Sequence, residues 1–449
     1  MDALLRTFFD LAAADPKREL VLGAERVWSR GAVARSVREA GAELARRLGA
    51  QGAGSVVALV VTPGPGFLVD FLACRAAGLC VLLLDYGLTR AERARIALEL
   101  GASALVTTAS GELERLAGTR QLPQAACLKL TSGSTGAPSA VVTPTASLLA
   151  DGWALVRSMG LSLDDRIFAA VPMSHAYGLS ILATPAWILG TPLVFADGLE
   201  DFEAAERLRA TVFPTVPSWY DAQLAASERA LPPSVRLWIA AGAPLRAATA
   251  RAWRARHGCG VHAFYGSSEC GGITFDRRGD AAERGSVGSA LEGVRVELDS
   301  EGLVVVHSEA VTLGYLPPGG ERDARLAPGV FRTEDLGRLE GGELWLAGRR
   351  SDWINVKGKK VDPREVEAVL AEHAAVRDVV VLGRALPEER GESVRAVIAC
   401  EADALRFRDV VLWCRQRLAP HKWPRSVVFV RELPRTERGK LDRGALTRL

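Results

Sequence analysis

Short uninterrupted apolar runs, separated by segments of helical period, constrain this chain most. VVALVV at 56–61 precedes a helical pattern at 66–77, VLLLDY at 81–86 precedes another at 89–100, and ALVTT follows at 104–108. A strand that is apolar on both faces has to be covered on both. A helix between two such strands joins them in parallel, so the alternation predicts βαβ units and a mainly parallel sheet under helices, an α/β fold. The pattern resumes with RIFAAVP at 166–172, a helix around 179–189, PLVFA at 192–196, a helix after 200, TVFPTVP at 211–217 and RLWIAAG at 236–242. From about 285 onward short alternating segments, VRVEL, GLVVVH and GELWLAG, with Gly turns between them, read as a smaller β-rich unit. The polar string GRRSD at 348–352 then marks a hinge, and we place a domain boundary there, giving domains 1–350 and 351–449. The second has helical patterns at 363–372 and 408–418 and strand patterns at 379–382, 394–399 and 427–430, so it reads as a small α+β domain.

Charge narrows the partners. The 56 basic and 53 acidic residues are interspersed and leave a formal net charge of +3, so no basic stripe argues for nucleic acid or a membrane surface. The natural partner is a small molecule or another protein. Seven cysteines (Cys74, Cys80, Cys127, Cys259, Cys270, Cys400 and Cys414) are odd in number, scattered and without a CxxC pair. They suit a reducing compartment, the cytoplasm, and read as small buried apolar residues. The first twenty residues carry acids early and form no apolar core of signal-peptide type, so they read as an amphipathic helix. No run approaches the roughly 18 apolar residues of a membrane span.

Against this framework a few segments carry chemistry. In LTSGSTGAPSAVV at 130–142, the residues Thr131, Ser132, Gly133, Ser134, Thr135 and Gly136 form a loop whose backbone N–H groups and hydroxyls can converge on a phosphate. It matches neither a Walker A loop nor a dinucleotide GxGxxG, and on its own it is equally the composition of a Ser/Gly turn. FYGSSECGG at 264–272 sets Tyr265 to stack on a flat base, Gly266 at a turn, Ser267 and Ser268 to hydrogen-bond phosphate, and Glu269 to hold a divalent cation. A strand-to-loop turn with a solvated glutamate reads the same way. Gly242, Ala243 and Pro244 end an apolar strand in a turn that could edge a purine. Asp335 is suited to ribose hydroxyls, and Arg349 lies beside the hinge. LPRTERGKLDR at 433–443 puts Lys440 in a Gly-containing loop, where a mobile cation could reach a reaction centre in another domain.

The order and spacing of TSGSTGAP, YGSSE, TEDLG, GRRSDWINVKG and PRTERGKLDR resemble those of the adenylate-forming superfamily of acyl-CoA synthetases, nonribosomal peptide synthetase adenylation domains and luciferases. The resemblance spans nearly the whole chain. It implies a large N-terminal domain of two α/β subdomains plus a small β-barrel, followed by a small mobile α+β C-terminal domain. It also implies an ATP-dependent acid–thiol ligase using Mg²⁺, in which a carboxylate attacks the α-phosphate of ATP, pyrophosphate leaves, and a thiol attacks the acyl-adenylate. By the same resemblance 131–136 would cradle the β and γ phosphates, Gly242, Ala243, Pro244 and Tyr265 would bind adenine, and Ser268 would touch phosphate. Glu269 would ligate Mg²⁺, Asp335 and Arg349 would hold the ribose, and Lys440 would bridge the carboxylate and the adenylating phosphate.

The chain departs from the family pattern in three places. Ser139 stands where the phosphate loop usually has a lysine, Pro144 and Thr145 replace a TH pair, and Ser351 occupies a hinge position usually Asp or Lys. A non-catalytic nucleotide or acyl binder is therefore the alternative to an active ligase. VPMSHAYGLS at 171–180 resembles the PxxHxxG segment of acyl and aryl acid activators, in which His175 and Tyr177 would line or gate the acid pocket. The other reading of His175 is a satisfied core histidine. The segment lacks the aspartate that amino-acid activators use for the α-ammonium, which favours a neutral, apolar-tailed fatty or aryl acid. Trp187, Trp219 and Trp238 either shape that pocket or belong to the core. The acceptor would be coenzyme A or the phosphopantetheine of a separate acyl carrier protein, for which Arg415, Arg417 and Arg425 offer an arginine-rich face.

Overall fold

VVALVV and its neighbour CVLLLD are buried at every residue, which only a strand covered on both faces achieves. The computed structural model describes residues 2–23, 26–49, 53–108, 111–131, 138–196, 201–226, 230–318, 320–350, 353–356, 359–385, 392–402, 404–435 and 441–449. Its contacts divide the chain into two units. The first comprises Met1–Asp299, Val305–Thr333 and Leu339–Trp345, the second Ser300–Val304, Glu334–Arg338 and Leu346–Leu449.

In the first unit one sheet has the described strand order Tyr315–Leu316, Ser139–Thr143, Cys127–Thr131, Cys80–Asp85, Val56–Val61, Ala104–Thr107, Leu113–Arg115. Cys127–Thr131, Cys80–Asp85, Val56–Val61 and Ala104–Thr107 run parallel. The period of two divides their side chains between two cores: Val57, Leu59, Val61, Val81 and Leu83 pack into one, and Val56, Ala58, Val60, Leu82 and Leu84 into the other. The helices that cover them start on local signals. Ser29 Oγ accepts from Ala32 N at 3.2 Å before Arg30–Leu48. Thr89 and Glu92 form a capping box before Arg90–Glu99, with Thr89 N donating to Glu92 Oε2 at 2.8 Å.

A second sheet of the same unit lays Glu19–Leu22, Leu193–Val194, Ile167–Phe168, Val212–Thr215, Leu237–Ala240 and His262–Ser267 side by side in parallel. Gly271–Phe275 then returns antiparallel on His262–Ser267. One face of this sheet carries an aromatic cluster in which Phe213 lies 5.1 Å from Trp219 and 4.9 Å from Trp238, ring centre to ring centre, with Trp253 packed beside both. Trp187 stacks on Phe71 at 4.8 Å in the core between the sheets. The three tryptophans that sequence left between pocket and core are therefore core residues. The β-rich stretch after 285 is present as Arg295–Leu298, Leu303–His307, Val330–Glu340 and Glu343–Arg349.

The second unit holds an α+β fold over its C-terminal stretch. Asp378–Ala385 pairs antiparallel with Glu392–Ala399, which runs parallel to Ser426–Val430. Pro363–Ala371 and Phe407–Arg415 bury Val366, Leu370, Val410 and Cys414 against Val379, Val381, Ala396 and Ile398. Trp413 Nε1 ties the two helices by donating to Val369 O at 2.7 Å. None of the seven cysteines is in a disulfide, and six are buried. Among the described residues no helix is long and apolar enough to cross a membrane.

Candidate active site

Parallel strands end together, and the residues just past their carboxyl ends share one edge of the sheet. Leu237–Ala240 and His262–Ser267 are neighbours, with Ala240 opposite Ala263, so the turn after the first and the FYGSSE segment of the second emerge side by side. Gly242, Ala243 and Pro244 are exposed there, and Gly242 has a φ of +83° that favours glycine. Tyr265 is half-buried beside them. The strand shifts register between Tyr265 and Gly266, where a Cβ would stand 2.6 Å from Gly271 O, so this turn needs a glycine. Ser267 Oγ accepts from Glu269 N at 3.2 Å and lies 3.3 Å from Cys270 Sγ, which folds Ser267, Ser268 and Glu269 into a tight turn.

Two bonds anchor Glu269 in that turn. Its carbonyl accepts from Thr312 N at 2.8 Å, and Oε1 accepts from the Tyr315 hydroxyl at 2.8 Å. Oε2 has no hydrogen-bond partner among the described residues and could accept a cation. Those residues contain no group of three or more His, Cys, Asp or Glu able to hold a metal alone. That donor set fits a magnesium ion carried mainly by phosphate oxygens and water, with a single protein carboxylate.

Beneath the turn lies Asp151, which sequence reasoning missed. It is buried on the helix Thr145–Ser158, its Oδ1 accepts from Gly272 N at 2.8 Å, and its Oδ2 accepts from Ser180 Oγ. Gly271 has a φ of +69°, and a side chain there would run into this carboxylate. Burial raises the Asp151 pKa, while the Gly272 N–H, the Ser180 hydroxyl and the charge of buried Lys129 pull it back. Asp151→Ala is expected to leave Gly272 N–H and Ser180 without their acceptor and to cost about 1–3 kcal/mol in urea unfolding. Asp151→Asn, which keeps an acceptor for Gly272, is expected to lose less; equal losses would show that the bond to Gly272 is immaterial.

On the first sheet Thr131 ends the strand that leads into the glycine loop. Thr131 Oγ1 donates to Ser139 O at 3.2 Å across the antiparallel pair of Cys127–Thr131 and Ser139–Thr143, so the loop joins two strands as its sequence suggests. Ser132, Gly133, Ser134, Thr135 and Gly136 lie outside the described residues, as does Lys440. Ser139 is buried within its strand. His175 precedes the short helix Ala176–Gly178 and meets Asp85, at the end of Cys80–Asp85, with Nε2 3.1 Å from Oδ2. Tyr177 lies 5.7 Å from Phe264, ring centre to ring centre, which brings the 174–177 segment to the FYGSSE strand. In the second unit Asp335 and Arg349 come together, Arg349 Nε donating to Asp335 Oδ1 at 2.9 Å.

This arrangement coincides with two family models. The AMP-binding enzyme model matches residues 8–129 and 116–316, and the AMP-binding enzyme C-terminal domain matches 365–440. The chain belongs to the AMP-binding enzyme family. Among relatives of this AMP-binding enzyme, the 2-succinylbenzoate–CoA ligase of Bacillus pumilus is 28% identical over 472 residues, covering 97% of this chain and 96% of the relative. Among solved structures, ATP-bound MatB from Rhodopseudomonas palustris superposes with a TM-score of 0.85 at 25% identity, covering 100% of this chain and 99% of that one. The o-succinylbenzoate CoA synthetase of Bacillus subtilis, in complex with its acyl-adenylate intermediate, has a TM-score of 0.83 at 23% identity, covering 98% and 97%. The large α/β region and small C-terminal α+β domain of this AMP-binding enzyme are the architecture of that fold.

Proposed function

We propose that this AMP-binding enzyme is an AMP-forming acid–thiol ligase. A carboxylate oxygen of the acid attacks the α-phosphate of ATP, the bond to the β-phosphate bridging oxygen breaks, and acyl-adenylate and pyrophosphate form. A thiolate then attacks the acyl carbon, and thioester and AMP leave. The observation that carries this reading is the sheet edge where the exposed 242–244 turn, Tyr265 and the anchored Glu269 stand together.

In this reading Gly242, Ala243 and Pro244 edge the adenine and Tyr265 stacks on it. Gly266 lets the chain turn there, Ser267 and Ser268 line the α-phosphate, and Thr131 with Ser132, Gly133, Ser134, Thr135 and Gly136 takes the β and γ phosphates. Glu269 Oε2 holds Mg²⁺, which neutralises phosphate charge when bound. Asp335 and Arg349, joined by their ion pair, hold the ribose. We place the domain boundary at 350/351, and Lys440, in the 351–449 domain, bridges the carboxylate and the adenylating phosphate. His175 and Tyr177 border the acid, whose tail is a fatty or aryl group.

The relatives' names as CoA ligases support coenzyme A as acceptor over a separate carrier protein, and they lend nothing to a non-catalytic binder. The reduced, buried cysteines suit the cytoplasm. Pyrophosphate release should appear with at least one member of a panel of fatty and aryl acids, with hydroxylamine trapping the adenylate. Thioester should then form with coenzyme A in preference to a phosphopantetheinylated carrier protein. ATP binding with no release from any acid would reject the ligase reading, and thioester on the carrier alone would reassign the acceptor.

A further inference from the structure

A lysine is costly to bury, because an ammonium taken out of water needs an acceptor or a counter-charge. Lys129 is buried in the strand Cys127–Thr131, two residues before Thr131 and the glycine loop. Its ammonium has no hydrogen-bond or ion-pair partner among the described residues. Strand register fixes the side on which it lies. Thr131 stands opposite Ser139 and Lys129 opposite Val141, so Lys129, Thr131 and Ser139 share one face of the sheet and Lys129 is the diagonal neighbour of Ser139. Leu128, Ala140 and Val142 pack into the core on the other face. Cys127, on the face of Lys129, packs into the core that holds Leu148 and Leu155 of the helix Thr145–Ser158.

The charge of Lys129 is felt under the Glu269 turn. Burial raises the Asp151 pKa and pushes the Cys270 thiol up to about 12, and the ammonium pulls both back. Cys270 directly follows Glu269, and Asp151 is bonded to Gly272 N at 2.8 Å. Asp151 does not bond the ammonium, since its two oxygens accept from Gly272 N and from Ser180 Oγ. We infer that Lys129 supplies, from beneath the glycine loop, the positive charge to the β and γ phosphates of ATP that Ser139 does not. The inference rests on the reading of 131–136 and Glu269 as the phosphate site. Diagonal positions on a shared face lie about 7–8 Å apart, within reach of a long side chain, so a lysine at 129 serves much the same place as one at 139. Lysine acts on phosphate as a point charge and needs no fixed fork of donors. The phosphates in turn give the buried ammonium the acceptor that no described residue offers. Lys440 then acts at the α-phosphate and Lys129 at the two beyond it.

Equilibrium binding of ATP, AMP and pyrophosphate to the full chain, with Mg²⁺ present, tests this because AMP lacks the two outer phosphates. Lys129→Met keeps the bulk of the side chain and removes its charge. It should weaken ATP and pyrophosphate binding about tenfold and leave AMP binding within about twofold. Adding Ser139→Lys to Lys129→Met returns a lysine to the diagonal position and should recover most of the ATP affinity. Lys129→Met with Asp151→Asn removes both buried charges, should show the same selective loss, and serves if Lys129→Met alone fails to fold. ATP and AMP weakened alike, ATP binding unchanged, or no recovery with Ser139→Lys would each overturn the inference and leave Lys129 as the counter-charge of Asp151. If the wild type bound ATP yet released no pyrophosphate with any acid, the ligase reading would fall, and the comparison of ATP with AMP would still decide the role of Lys129.

Discussion

Lys440→Ala is expected to lower pyrophosphate release by about a hundredfold or more, the roughly 3 kcal/mol that one preorganised transition-state contact is worth. ATP binding should stay within a few-fold of the wild type, because the contact forms only as the carboxylate reaches the α-phosphate. At that point two anions approach each other, and a lysine between them offsets the charge that builds up along the new bond. The residues on either side of 436–440 are held by local bonds. Arg435 and Leu441 are bridged across it, Asp442 N donates to Pro434 O at 2.9 Å, and Asp442 Oδ1 caps the terminal helix by accepting from Ala445 N at 2.9 Å. Ser139 occupies the place of the family's phosphate-loop lysine, so the charge at the phosphates rests more on Lys440. Equilibrium ATP binding and single-turnover pyrophosphate release, measured on the same preparation, separate the two effects. Adenylation at near wild-type rate in Lys440→Ala would remove Lys440 from the mechanism, and lost ATP binding would make it a ground-state contact.

What sequence revealed and what it missed divide along sequence separation. The parallel strands were legible because burial on both faces leaves an unbroken apolar run, and the split of Val56, Ala58 and Val60 from Val57, Leu59 and Val61 follows from geometry alone. Helix starts such as Thr89 with Glu92 were legible because a cap and its partner are three residues apart. The groups that support the site were not. Asp151 meets Gly272 across 121 positions, Asp85 meets Ser174 across 89, and Tyr315 meets Glu269 across 46. Such bonds have no period, and each of these residues by itself resembles an ordinary surface acid or core tyrosine. The tryptophans show the reverse case. Their spacing suited a pocket wall as well as a core, and the decision lay with Phe202 and Phe213, which close the cluster around Trp219 and Trp238. The roles of segments such as TSGSTGAP and GKLDR were legible only through their resemblance to a family, because by itself each has the composition of an ordinary turn or of a solvated surface charge.

Glu269→Gln is expected to have an effect of the same order, about a hundredfold on pyrophosphate release, together with a higher Mg²⁺ requirement. Glutamine keeps the shape and can still accept from the Tyr315 hydroxyl through its amide oxygen, so the turn built by Ser267, Glu269 and Thr312 should persist and thermal stability should hardly change. What it removes is a full negative charge at Oε2. Among the described residues no group of three or more metal-ligating side chains forms, so phosphate oxygens and water must carry more of the cation's charge. Tyr315→Phe provides the contrast. It leaves the charge and removes only the tether at 2.8 Å, so the loss should be a few-fold and should not be relieved by added Mg²⁺. Titrating Mg²⁺ at fixed ATP for the wild type and both variants distinguishes a metal ligand from a structural glutamate. A Mg²⁺ dependence in Glu269→Gln that coincides with the wild type would show that the ion is held elsewhere. The tight turn after Tyr265 would then serve the nucleotide alone.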